Sequence, residues 1–347
     1  MAGFFTRHPG FALVTSLTIL KLFAQLPCLL VYYLPSYSRP VKSWTLGQAL
    51  GRKILRIWFE YAAVVEFRMP FNLDAGKEKE RFVVIQPDDS HDIYQDVLLA
   101  TTNITPVAIG AVWHPKPLSA PDQHVRGRRV FLHFHGGAYV LSGCRDTDVA
   151  FAASLLLRSP GALALFPQYR LSSYPGNKYP AAFQDAVTAY AHLVFALQVP
   201  PSNIILSGDS AGGNLAIALL RYITMHKELL PEPAGLLLWS PWVDLSVSTE
   251  NLAKRPNYNT DFIPANLIRW ADRVFLPPGN EEYPDPRQDP YISPLKKPLA
   301  TSVPIFVQWG GREILQDDSI AFAKRQKDAS QEAGGRLGGS ILRIPKK

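Results

Sequence analysis

The chain has 347 residues, 47% hydrophobic and 19% charged, a balance that excludes a disordered chain and gives room for one large domain with a real core. Its net charge of +7, from 36 basic and 29 acidic residues, comes without an aromatic-interleaved basic stripe or a zinc-finger spacing, so no nucleic-acid partner is expected. Two cysteines, Cys28 and Cys144, are too few for a disulfide framework and too far apart for a metal site, and both read as small packing residues.

Residues 11–34 (FALVTSLTILKLFAQLPCLLVYYL) carry one charge, Lys21. A helix of that length reaches across a hydrocarbon core of about 30 Å. Lys21, Gln25 and Pro27 stand near its middle, and a central lysine costs roughly 2.5–3.5 kcal/mol on insertion. A retained membrane anchor and a hydrophobic cap helix over an active site are the two readings, with the anchor set slightly ahead. Basic residues after the stretch would keep the main domain cytosolic. Leu46, Leu50, Ile54, Ile57, Trp58 and Tyr61 then recur at helical steps, with Thr45 as the expected N-cap. This second helix is expected to pack on the domain as core or cap.

From about residue 80, short apolar runs alternate with longer amphipathic ones. Strands are expected at 82–86, 107–113, 130–134, 163–166, 204–207, 236–239 and 303–309, and helices near 147–157, 181–197, 212–227, 264–275 and 317–329. The later strands are apolar on consecutive residues, as when both faces are covered. The rhythm therefore predicts an α/β fold with a mainly parallel central sheet and helices on both faces.

Two segments carry chemistry. IILSGDSAGG runs from an apolar strand through G-x-S-x-G into a helix, which presents Ser210 on a sharp turn flanked by Gly208 and Gly212. The helix behind it aims N–H groups at any anion forming near the serine. VFLHFHGGAY ends a strand in His-Gly-Gly. Its glycines could simply make a turn. Paired with the serine elbow, the N–H groups of Gly136, Gly137 and Ala211 can instead form an oxyanion hole for an acyl-transfer intermediate.

HFHGGAYV, QYRLSSYPGNKYPAAFQDA, GDSAGGNLA, SPWVDLS and DPYISPL, in that order, resemble the hormone-sensitive-lipase branch of the α/β-hydrolases over roughly residues 107–329. The resemblance implies an α/β-hydrolase fold and a serine carboxylesterase that acts on a small or medium acyl ester, such as an acetylated lipid or secondary metabolite. It needs no metal or cofactor. Ala138 stands where many members have a third glycine and still supplies its N–H. The N-terminal stretch is similar to the anchor or cap of fungal sterol-ester and arylacetamide-type deacetylases. The domain plan is then an anchor or cap over 1–43 and a hydrolase domain over 44–347. The expected location is a membrane, such as the endoplasmic reticulum, with the cytoplasm as the alternative.

The family's acid position falls on Glu313 in WGGREILQDD, with Asp317 and Asp318 as nearby alternatives that are expected rather to cap the next helix. The catalytic histidine should follow the acid. The eight histidines are His8, His91, His114, His124, His133, His135, His192 and His226, and none does. The tail GGRLGGSILRIPKK replaces the family's last strand and histidine loop, with 340–344 as a candidate short edge strand. It reads as truncated or aberrant. His133 and His135 are expected to make structural hydrogen bonds. The rival reading is a catalytically impaired or ligand-binding member of the same fold, as in the gibberellin receptors.

Overall fold

The computed structural model describes residues 2–99, 103–118, 127–282 and 284–332. In chain order the helices are α1 (Ala2–Phe5), α2 (Gly10–Tyr33), α3 (Leu46–Val65), α4 (Asp146–Leu156), α5 (Ala181–Ala191), α6 (Ala211–Met225), α7 (Thr249–Ala253), α8 (Ala265–Phe275) and α9 (Gln316–Glu332). The strands are β1 (Phe82–Ile85), β2 (Ile109–His114), β3 (Val130–Phe134), β4 (Leu163–Gln168), β5 (Ile204–Asp209), β6 (Gly235–Trp239) and β7 (Ile305–Gln308). Every expected strand is present, displaced by two residues or fewer at each end. The helix expected over 181–197 ends at Ala191 and continues as one π turn, His192–Ala196.

The seven strands form one sheet in the order β1-β2-β4-β3-β5-β6-β7. β4, β3, β5, β6 and β7 run parallel, while β1 pairs antiparallel with β2 and β2 antiparallel with β4. Side chains alternate across the sheet. Along β3, Val130, Leu132 and Phe134 enter the larger core with α5 and α6, while Phe131 enters a smaller core under α4. The consecutive apolar runs in the sequence follow from this double cover.

α3 begins at a capping box: Thr45 Oγ1 accepts the Gln48 N–H at 3.2 Å, and the Gln48 side chain accepts the Thr45 N–H at 2.8 Å. Its buried side carries Ala49, Arg56, Ile57 and Ala62, and it packs on both α2 and α8. α2 is long and apolar enough to cross a membrane by length and composition. Cys28 lies exposed on it rather than packed, and Cys144 is buried, its thiol pushed up to about 12 by burial. The candidate strand at 340–344 lies outside the described residues.

Candidate active site

β5 ends at Asp209 and α6 begins at Ala211, leaving Ser210 between them at φ 50° and ψ −118°. Its backbone is pinned from several sides. The Ser210 N–H donates to the Trp239 carbonyl at 3.0 Å, and its carbonyl accepts from Trp242 at 2.9 Å and Asn214 at 3.1 Å. Only glycine fits on either side. A Cβ on Gly208 would drive into the Gly212 carbonyl, and one on Gly212 into the carbonyl oxygens of Phe134 and His135. The Ser210 hydroxyl has no hydrogen-bond partner among the described residues. Ala138, Tyr139, Ser142 and Ser240 also hold positive φ around this corner, so backbone strain gathers at one place in the fold.

β3 lies beside β5 with Phe134 opposite Gly208, which sets the His-Gly-Gly turn against the serine. Gly136 crowds Asp209 so closely that a Cβ would collide with its carboxylate. The Gly136 N–H donates to Asp209 Oδ1 at 3.0 Å, so this expected oxyanion donor is engaged within the protein. Gly137 takes φ 111°, which glycine alone adopts freely. The N–H groups of Gly137, Ala138 and Ala211 have no acceptor among the described residues. Asp209 was not among the residues the sequence singled out, although it stands inside the G-x-S-x-G pentapeptide.

Both nearby histidines have structural partners. His133 Nδ1 lies 3.0 Å from Ser207 Oγ, and its Nε2 lies 3.4 Å from Asp209 Oδ1. His135 stacks on Tyr169 at 4.3 Å, and its Nδ1 lies 2.7 Å from the Gly136 carbonyl. At 4% exposure, burial drives the His135 imidazole down to about 4, against the opposing pull of the Gly136 carbonyl. An unfolded chain therefore binds this proton more readily than the native one. The contribution to stability is complete above a pH of about 6.5 and is lost as pH falls toward about 4, by a limit of about 3 kcal/mol. His135→Phe should flatten that part of the stability curve, read by urea unfolding across the window. An unchanged slope in the variant would remove His135 as its source.

The loop that holds Glu313 follows β7. Burial raises the Glu313 carboxyl above its usual pKa, while hydrogen bonds from the Ser240 side chain and the Gly310 backbone pull it back. Its Oε2 is buried without a hydrogen-bond partner. The segment after β6 grips this loop. Asp261 Oδ2 accepts the Ile314 N–H at 2.6 Å, and Asn257 Nδ2 donates to the Glu313 carbonyl at 3.1 Å. Asp317 and Asp318 both fall in the first turn of α9, but Asp318 is bound sideways to Arg255 at 2.7 and 2.8 Å. No sequence periodicity marks Asp261 or Asn257, because their partners lie more than 50 residues away.

Ser210, Asp209, Gly136, Gly137 and Ala138 line a largely apolar cavity of about 490 Å³. Leu55, Trp58 and Phe59 of α3 and Leu267 and Ile268 of α8 close it from above, so the second helix is a cap helix. Phe59 stacks on Phe262 at 5.6 Å across that cover. Glu313 sits behind the wall, with Leu315 as the nearest cavity-lining residue in its loop. Among the described residues, no cluster of His, Cys, Asp and Glu is arranged to hold a metal.

The chain is similar to several known proteins. An esterase of Acinetobacter venetianus is 32% identical over 209 residues, covering 60% of this chain and 65% of that protein. An acetyl-hydrolase of Streptomyces hygroscopicus is 34% identical over 193 residues, covering 56% of this chain and 60% of that protein. The chain thus spans less than two thirds of these curated relatives. A crystal structure of an esterase from the bacterial hormone-sensitive lipase family superposes with a TM-score of 0.57 at 25% identity, covering 86% of this chain and 88% of that one. The profile of an α/β-hydrolase fold family matches residues 131–337, more than half of the sequence. The chain belongs to the α/β-hydrolase fold family, in its hormone-sensitive-lipase-like branch.

Proposed function

We propose that this protein is a carboxylic ester hydrolase in which Ser210 attacks the ester carbonyl. The observation that carries this reading is the strained serine: φ 50° between a buried strand and a helix, with its hydroxyl unengaged and facing an apolar cavity. The oxyanion would be received by the N–H groups of Gly137 and Ala211, with Ala138 beside them. Gly136 contributes through its bond to Asp209, which fixes the turn. Glu313 would orient the base that takes the serine proton. The names of the relatives support a short acyl group, acetyl among them. The residues over 1–43 act as an anchor or cap segment and those over 44–347 as the hydrolase domain, with the chain held at a membrane by α2.

A fluorophosphonate probe should label Ser210, and Ser210→Ala should abolish the label while leaving the circular dichroism spectrum unchanged. Labelling that persists in the alanine variant would sink the assignment. One observation favours a second reading, a binding protein on the same scaffold. Among the described residues Glu313 Oε2 is buried without a partner, and no imidazole reaches it. Such a protein would bind a carboxylic ester in the cavity and release it unchanged.

A further inference from the structure

α2 packs one stripe against the domain and leaves a broad apolar face bare. Its covered residues are Phe11, Val14, Thr15, Thr18, Leu22, Gln25, Leu26, Leu29 and Tyr33, one stripe at helical spacing along the full length. Thr15 Oγ1 bonds Tyr61 Oη of α3 at 2.9 Å, and Val14 and Thr18 line the groove with Ile57, Glu60, Tyr61 and Val64. The outward side carries Leu13, Leu17, Leu20, Phe23 and Val31, with Phe23 and Val31 each 74% exposed. A cap helix of a water-soluble protein has the opposite arrangement.

The partner on α2 is itself unsuited to a bilayer interior. α3 runs antiparallel to α2 and holds Arg52, Lys53, Arg56 and Glu60, with Arg56 bonded to the carbonyls of Tyr258 and Asp261 on the catalytic domain. α2 cannot cross a membrane while its whole length lies against α3. Yet it cannot leave its outer face in water without exposing a continuous apolar strip.

Charge shows what covers that strip. Residues 1–59 contain seven Lys and Arg and no Asp or Glu; the rest of the chain carries 29 of each sign. The net +7, which looks scattered along the sequence, therefore belongs entirely to this N-terminal unit. Arg52 and Arg56 are taken up internally, and the Arg39 guanidinium caps the end of α2 on the carbonyls of Tyr33 and Leu34. Arg7 and Lys42 remain exposed for an anionic surface, while Lys21 lines the groove between α2 and α3 with Glu60.

The apolar strip also continues to the cavity. Ile57, Tyr61 and Val64 of α3 face the α2 groove, while Leu55 and Phe59 face the cavity. Ile54 lies exposed between those two stripes, Trp58 lines the cavity while still 39% exposed, and Phe262, stacked on Phe59, is exposed beside them. We propose that α2 lies flat in the surface of an anionic lipid bilayer, packed on α3 and not spanning, and that this places the mouth of the Ser210 cavity against the lipid. The last step rests on the esterase reading, and it names the substrate as an ester dissolved in the membrane.

The test uses the full chain with vesicles of phosphatidylcholine and phosphatidylserine. In a Cys28→Ser background, Leu13→Cys, Leu20→Cys and Val31→Cys each carry one environment-sensitive fluorophore, quenched by lipids labelled at graded depths. All three probes should report one shallow depth, about 5–10 Å into the boundary. A graded series from one leaflet to the other would mean a spanning helix, and failure to bind vesicles, or burial of the probes in a protein dimer, would equally overturn the proposal. Leu20→Arg with Phe23→Arg should lower vesicle binding by about tenfold or more while leaving the fold intact. Vesicle binding should be unchanged in Ser210→Ala, so failure here and failure of the esterase reading are told apart by the fluorophosphonate label.

Discussion

Hydrolysis of p-nitrophenyl acetate by the 347-residue chain is expected to stay close to the rate of Ser210→Ala, despite an intact serine elbow. No imidazole follows Glu313 in the sequence, and the two near the serine are committed elsewhere. His133 is tied through Nδ1 to Ser207, and His135 is held neutral by burial and tied to Gly136. The serine proton then has no acceptor with a pKa near neutrality, and the leaving alcohol has no donor. In a serine protease, removal of the histidine costs about 2 × 10⁶ in kcat, leaving what binding and the oxyanion hole supply. A chimera in which the residues after 332 are replaced by the last strand and histidine loop of an active family member should be faster by several orders of magnitude. Its imidazole should also find the unpartnered Oε2 of Glu313, so Glu313→Gln should slow the chimera and leave the parent chain unaffected. Turnover by the parent chain at an ordinary enzymatic rate, roughly 1–10³ s⁻¹, would mean that another group serves as the base.

The second large effect concerns the fold beneath the site. Asp185 on α5 is fully buried and binds Arg170, just after β4, three ways: its Oδ2 accepts the Arg170 N–H at 2.6 Å, and its Oδ1 meets Nε at 2.9 Å and an η nitrogen at 2.8 Å. The guanidinium also donates to the carbonyls of Thr105 and Ala181 and to Gln184 Oε1. Burial lifts the Asp185 carboxyl above its usual pKa, and Arg170 pulls it back. Asp185→Ala would leave the Arg170 charge buried and unpaired, at a cost of about 3–5 kcal/mol. For a chain of this size that corresponds to roughly 4–7 °C in Tm. Asp185→Asn, which keeps an acceptor but loses the charge, should fall between. Calorimetry on the two variants checks the order, and equal melting temperatures would show the pair to be dispensable.

Much of this protein was legible in its sequence because the signals are local. Each expected strand is a short apolar run between turn residues, and the two glycine motifs sit directly after strands, so Ser210, Gly136 and Gly137 follow from adjacency alone. Thr45 and Gln48 announce the start of α3 because a capping box closes within one turn.

Tertiary structure decided what depends on residues far apart. The engagement of Gly136 by Asp209 arises only when β3 and β5 lie side by side, which turns one expected oxyanion donor inward. Asp318 reads as a helix cap until Arg255, 63 residues away, comes into reach. Whether residues 46–65 cap the cavity, and which side of α2 is left bare, are matters of helix packing. A hydropathy pattern records that a helix is apolar but not which neighbour covers it. The sequence by itself determined the fold and the family, whereas only the packed chain decided which backbone donors remain open and which apolar face of α2 lies bare.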